Sequence, residues 1–442
     1  MAATTMAQNS DGAITADMLG RLEKSYGNTA GDKAIRNALG QMDLNKLALS
    51  QENLGEFDKE FSTEVKSKGI TDQKKSGRCW LFSGLNVLRA KAIAKHGMSR
   101  FQFSQNYLFF YDQLEKSNLF LQMVIDTKGE ELTSQSVDWL FQNPVTDGGT
   151  FTGVADLVNK YGLVPSEAMR ETFAANNTNR MAMLLKMKLR QGGIQIREMA
   201  EKKASKAQLA AKKEEVLKDI YRILALNLGI PPKEFTYNGK KYTPMEFAEE
   251  YGDKETCNDY IMLMNDPSRP YYKCYEIDRD RHTYEGHNWL YVNLPIEDIK
   301  EMAKASLKDS TAMYFSCDVG KYLNSETGLL DVNNYDYESL MGMSFAMTKK
   351  QRVESHASGS SHAMTLVAVD EKEGKTIKWK VENSWGESAG CKGFLIMTDE
   401  WFDEYMFRLV VNRKYATERA LEVLKTKPVK LPAWDPMFAE DL

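Results

Sequence analysis

The chain has 442 residues and a formal net charge of −4, with 42% hydrophobic and 27% charged residues. This is the balance of a soluble globular protein with a large core and two or three domains. It gives no general affinity for nucleic acid, and no apolar run approaches the roughly 20 residues that span a bilayer. Five cysteines, Cys79, Cys257, Cys274, Cys317 and Cys391, are few, scattered and odd in number. That argues against a disulfide framework and for a reducing, cytoplasmic compartment. No spacing resembles a zinc site, and no metal or cofactor is implied.

Met1 to Gln8 is small and polar, without the charged and apolar regions of a signal peptide. A natural start upstream of Met1 would admit export instead. Residues 14 to 50 read as helices, with a start signal at Ile14-Thr15-Ala16-Asp17. Asp58 to Thr71 is a mixed connector. It leads to Gln73-Lys74-Lys75-Ser76-Gly77-Arg78-Cys79-Trp80-Leu81-Phe82-Ser83, where a Gly-Arg pair delivers a Cys to an apolar helix spanning Trp80 to Ala94. A helix amino end favours a thiolate over a thiol, so Cys79 is the candidate nucleophile. Gln73 can curl back and pair its amide N–H with the backbone N–H of Cys79 as an oxyanion hole. Taken alone, a Cys-Trp pair is more often a buried core thiol.

Further helices are expected from Ser104, around Val137 to Leu140 with an end near Asn143-Pro144, and from Phe151 to Tyr161. Asp147-Gly148-Gly149-Thr150 between the last two is a tight turn, and equally a cleft wall whose bare backbone binds an extended peptide. Residues 180 to 228 read as long, Lys-rich helices. Lys202, Lys203, Lys206, Lys212, Lys213 and Lys218 form a basic face interleaved with Glu201, Glu214, Glu215 and Asp219. This is a solvated face or, on a sharper reading, a surface for polyanions. Phe235 to Tyr242 reads as a hairpin around Asn238-Gly239, and Thr243-Pro244 starts another helix. His282 and His287 read as surface or structural, and Cys317, in the strand Ala312 to Cys317, as structural.

Two later segments complete a catalytic set. His362 heads the apolar run Ala363-Met364-Thr365-Leu366-Val367-Ala368-Val369, and a strand from Thr376 to Glu382 ends at Asn383-Ser384-Trp385-Gly386. A further strand is expected over Gly393 to Thr398. His362 would take the thiol proton, Asn383 would fix its ring, and Trp385 would shield their hydrogen bond. His356 is a weaker rival, lacking a following strand to hold it rigidly.

The order Cys, His, Asn is that of papain-type thiol proteases. The Gln73 to Phe82 stretch, Ser104 to Phe110, Cys317-Asp318-Val319-Gly320-Lys321, His362-Ala363-Met364, Glu382 to Gly386 and the tail Leu431-Pro432-Ala433-Trp434-Asp435-Pro436-Met437 together resemble the bleomycin hydrolase and bacterial aminopeptidase C family, from about residue 70 onward. The resemblance implies an α+β, papain-like two-lobed cysteine peptidase, a helical lobe beside an antiparallel β lobe. The implied layout is an N-terminal wrapping segment (1–70), a helical lobe carrying Cys79 (71–190), a helical insertion for assembly (191–288), a β-rich lobe carrying His362 and Asn383 (289–415) and a C-terminal arm (416–442).

It further implies a cysteine aminopeptidase acting on peptides, catalysed by Cys79, His362, Asn383 and Gln73, supported by Trp80 and Trp385, and assembled as a homohexamer without nucleic acid or membrane. Gly148 and Gly149 would line the groove. The carboxylate of Leu442 would pair with the substrate's free amino group. The tail departs from the family pattern at Phe438-Ala439-Glu440-Asp441, where relatives usually carry Gly and small residues. An endopeptidase follows if this tail leaves the groove open. An oligomeric polyanion-binding scaffold with secondary peptidase activity is the alternative of a different class.

Overall fold

The computed structural model describes residues 12–54, 58–435 and 437. The chain forms two compact units, one from the first 55 residues with 333–346, the other from the rest.

In the first unit, helices α1 (Ala16–Ser25), α2 (Ala30–Leu39) and α3 (Leu44–Ala48) begin at Thr15, Thr29 and Asp43, whose side chains accept first-turn N–H groups. The expected start at Thr15 is thus met. Segment 333–346 is bound to α3 by Asp336 N–H donating to Ala48 O at 2.7 Å and Ser50 N–H donating to Asn334 O at 2.9 Å.

The second unit holds helices α4 (Cys79–His96), α5 (Gln105–Asp126), α6 (Gln135–Gln142), α7 (Phe151–Tyr161), α8 (Asn179–Glu201) and α9 (Lys206–Leu228). Ser104 caps α5, and Gly97 in the left-handed region (φ 59°) ends α4. α8 and α9 lie close enough that a Cβ on Gly192 would stand 2.6 Å from Val216 Cγ2. Their packing with α4, α5 and α7 buries an apolar core that includes Leu85, Phe109, Val154 and Leu185.

The strands are β1 (Thr63–Glu64), β2 (Phe235–Tyr237), β3 (Lys240–Tyr242), β4 (Tyr260–Met264), β5 (Lys273–Ile277), β6 (Leu290–Asn293), β7 (Met313–Cys317), β8 (Leu323–Asn324), β9 (Leu329–Leu330), β10 (His362–Lys372), β11 (Lys375–Glu382), β12 (Phe394–Thr398), β13 (Met406–Asn412) and β14 (Val429–Leu431). The hairpin β2–β3 turns at Asn238 and Gly239, both with positive φ, as expected. The main sheet runs β14-β5-β6-β4-β13-β7-β10-β11-β12-β9-β8, with β1 on β10. Its core includes Phe315, Val367, Trp379 and Trp401. The α+β expectation holds. One correction concerns 191–288, read as a helical insertion: it also gives β4 and β5 to the main sheet. Tyr260-Ile261-Met262-Leu263-Met264 is buried from Ile261 onward, and its partner β13 lies about 150 residues away, beyond the reach of local patterning. Among the described residues no helix is long and apolar enough to cross a membrane.

Candidate active site

Cys79 is the first residue of α4, 8% exposed. The residue before it, Arg78, caps the helix without a side-chain hydrogen bond to it. Its guanidinium is instead fully buried, bonded to both Glu171 oxygens at 3.1 and 2.8 Å and lying over the rings of Phe82 and Phe109. The helix amino end therefore presents its backbone N–H groups and partial positive charge at the sulfur.

His362 opens β10, and Asn383 follows the last residue of β11. These strands pair with Thr365 opposite Glu382, a register that sets His362 Nε2 2.8 Å from Asn383 Oδ1. Ser384 N–H donates to the same oxygen at 2.8 Å and fixes the amide. The Trp385 ring covers the imidazole at 4.8 Å and 30°. Burial pushes the His362 pKa down to about 4, and the bond to Asn383 pulls the other way. An imidazolium at this buried position needs a nearby anion.

A bridge between Asp72 and Trp385 joins the Gln73 segment to the Asn383 segment. Gln73 N–H donates to Ser384 O at 2.8 Å, and Ser384 Oγ donates to Gln73 Oε1 at 2.6 Å. Gln73 Nε2 gives one hydrogen to Ser76 O at 2.7 Å. An amide nitrogen has two, which leaves one donor for an oxyanion. α4 meets β10 where Thr365 Oγ1 donates to Ser83 O at 3.2 Å.

Gly148 and Gly149 form no tight turn and have no positive φ, against that expectation; they line one wall of a cavity of about 430 Å³. Trp80 Nε1 donates to Asp147 O at 2.7 Å, and Lys116 Nζ to Gly148 O at 2.5 Å. His282 is buried and lines the same cavity, its Nδ1 2.5 Å from Asp112 Oδ1 and its ring 4.6 Å from Trp80. His287 sits at the surface against Asp156. His356 is exposed, and Cys317 is buried in β7. Ala433 of the arm lines the cavity, Asp435 pairs with Arg269 at 2.5 Å, and Met437 is buried. Leu442 lies outside the described residues.

The sequence reading marks no role for Ser384, which lies in the Glu382 to Gly386 motif, or for Arg89 and Asp112, which lie in the helices expected from Trp80 and from Ser104. For Ser384 a signal existed, its place beside Asn383. The other two are charged residues in apolar helices, a pattern with many explanations.

A model of the Peptidase C1-like family matches residues 13–438. The chain belongs to that family. Among relatives of this peptidase, bleomycin hydrolase of Homo sapiens is 42% identical over 393 residues, covering 84% of this chain and 86% of its own. Aminopeptidase G of Lactobacillus delbrueckii subsp. lactis is 37% identical, covering 96% and 98%. The solved structure of PepW from Lactobacillus rhamnosis aligns with a TM-score of 0.92 at 34% identity, over 97% of this peptidase and 99% of that chain. The papain-like α+β fold expected of this peptidase follows from the family match and this alignment.

Proposed function

We propose that this cysteine peptidase removes amino-terminal residues from peptides, with the reaction running through Cys79. The family match and relatives named aminopeptidases and bleomycin hydrolase support a cysteine-type aminopeptidase. The observation that carries the assignment of residues is the hydrogen-bonded chain Gln73–Ser384–Asn383–His362, attached to the segment that enters the Cys79 helix.

The Cys79 thiol gives its proton to His362, and the thiolate attacks the carbonyl carbon next to the substrate's amino end. The oxyanion is held by the free Gln73 N–H and the Cys79 N–H. His362 protonates the leaving amine, which departs and leaves a thioester. Water attacks the thioester with His362 as base, releasing the amino acid and the thiol. Asn383 keeps the ring oriented, Trp80 holds the wall beside the nucleophile, and Gly148 and Gly149 line the acyl side of the groove.

The C-terminal arm limits that groove to one residue, with the Leu442 carboxylate receiving the substrate's ammonium group. Its support is the anchoring of Asp435 and Met437 and the place of Ala433 on the cavity. The assembly is a homohexamer in the cytoplasm, a reading that rests on the family resemblance and on cysteines that are few, scattered and odd in number. Alkylation of Cys79 by iodoacetamide tests the chemistry: hydrolysis of aminoacyl amides should fall in step with labelling, and full activity after complete labelling would refute it.

A further inference from the structure

The helix that begins at Cys79 packs in one core, and the strand pair that carries His362 and Asn383 packs mainly in another, sharing Ala363 with the first. Their relative placement decides whether thiol and imidazole share a proton, and that sharing tolerates little displacement. One buried charged contact joins the three catalytic segments. Arg89 lies on α4, ten residues beyond Cys79, about 15 Å along the axis. Its guanidinium donates to Glu382 Oε1. Glu382 ends β11, directly before Asn383, and pairs with Thr365 on the strand headed by His362. Its other oxygen accepts from Ser67 Oγ, which lies in the connector leading to Gln73, and Arg89 Nη2 stands 3.4 Å from that hydroxyl. The Arg89 and Glu382 side chains are 2% and 1% exposed.

Stability alone does not account for such a pair. Removing both charges from water costs several kcal/mol, and apolar residues of the same volume often hold a fold as well or better. Burial pushes the Glu382 carboxyl up, against the pull of Arg89. A directional contact adds one angle and one register between its two partners, which apolar packing does not specify. We propose that Arg89–Glu382 is a positioning pair: it holds the Cys79 helix in a single register against the His362–Asn383 strands, so that the nucleophile and its base meet. The proposal rests on the reading of Cys79, His362 and Asn383 as the catalytic set. The charged group facing Glu382 is Arg89; Ser67 from the connector and Thr365 from β10 supply uncharged contacts.

The test is the double variant Arg89→Met/Glu382→Leu, which keeps the interface filled, together with Ser67→Ala, which leaves the charges paired. The folded double variant should melt at or above the wild-type temperature. Its Cys79 should be alkylated by iodoacetamide at pH 6 about tenfold more slowly, and the acid limb of kcat/KM should rise by about one pH unit. The loss should fall on kcat, with KM within about twofold. Ser67→Ala should move the same limb in the same direction by less. A wild-type acid limb and alkylation rate in the double variant would overturn the proposal. If the double variant does not fold, Ser67→Ala decides on the same criterion. The underlying catalytic reading fails differently: wild-type Cys79 would then react at pH 6 no faster than an ordinary thiol.

Discussion

The Ser384 hydroxyl donates to Gln73 Oε1 at 2.6 Å, joining the residue after Asn383 to the amide proposed to hold the oxyanion. With Oε1 taken and one Nε2 hydrogen on Ser76 O, the Gln73 side chain cannot turn over without losing two bonds. Its remaining N–H is fixed before substrate arrives, which is where electrostatic stabilisation gains most. Gln73→Ala should lower kcat by about 10²–10³, and by leaving the buried Ser384 hydroxyl without its acceptor it should also cost about 1–3 kcal/mol of stability. Steady-state kinetics beside a thermal melt checks this, and a loss confined to KM would contradict it.

His362 gives a pH-dependent stability. In Cys79→Ala no thiolate faces the ring, and the folded-state pKa of about 4 lies below the ordinary 6.5. Between those values the unfolded chain binds more protons than the folded one, so stability rises with pH. It is complete above about pH 6.5 and is lost as pH falls towards 4. The full effect is on the order of 3 kcal/mol. Denaturant melts of Cys79→Ala from pH 4 to 7 should show this slope, and melts of Cys79→Ala/His362→Gln should lack its His362 part.

Gly149 and Gly148 should respond differently to alanine. A Cβ on Gly149 would stand 2.3 Å from His282 Cε1 and 2.8 Å from Trp80 Cδ2. His282 has little room to retreat: Asp112 holds it, and it packs against Gly153, where an added Cβ would likewise stand 2.3 Å from its ring. Gly149→Ala should cost about 2 kcal/mol of stability and disturb Trp80 beside the nucleophile. At Gly148 the nearest atom is Thr146 Oγ1 at 3.5 Å, so Gly148→Ala should leave the melting temperature nearly unchanged. Equal melting temperatures for the two variants would contradict this packing.

Arg78 is fully buried, with both ends of its fork on Glu171. Glu171→Ala leaves that guanidinium uncompensated and should cost about 3 kcal/mol. Arg78→Lys loses the paired geometry and the contacts with the Phe82 and Phe109 rings, so it should not restore wild-type stability. The shift in urea midpoint measures both.

Local chemistry made much of the fold legible in the sequence. Thr15 and Ser104 start helices because their hydroxyls replace missing backbone partners. Asn238-Gly239 turns a hairpin because both residues accept positive φ. Cys79, His362, Asn383 and Gln73 were visible through their order and neighbours. Contacts between distant residues of common types were not. Ser384 and Gln73 are 311 positions apart, and Arg89 and Glu382 are 293 apart. In an apolar helix an Arg reads as a solvated position until its partner is seen. β4 and β5 were missed for a related reason, since β4 pairs with β13 and β5 with β14, strands far along the chain.

The most direct measurement is hydrolysis of matched aminoacyl amides, free or acetylated at the amino end, under reducing conditions. It compares wild type, Cys79→Ala and a chain ending at Met437. The wild type should act only on the free amine, Cys79→Ala on neither substrate, and the shortened chain on both. Equal wild-type activity on the acetylated substrate would contradict an arm-limited aminopeptidase and indicate an open groove. Activity surviving in Cys79→Ala would contradict the nucleophile itself.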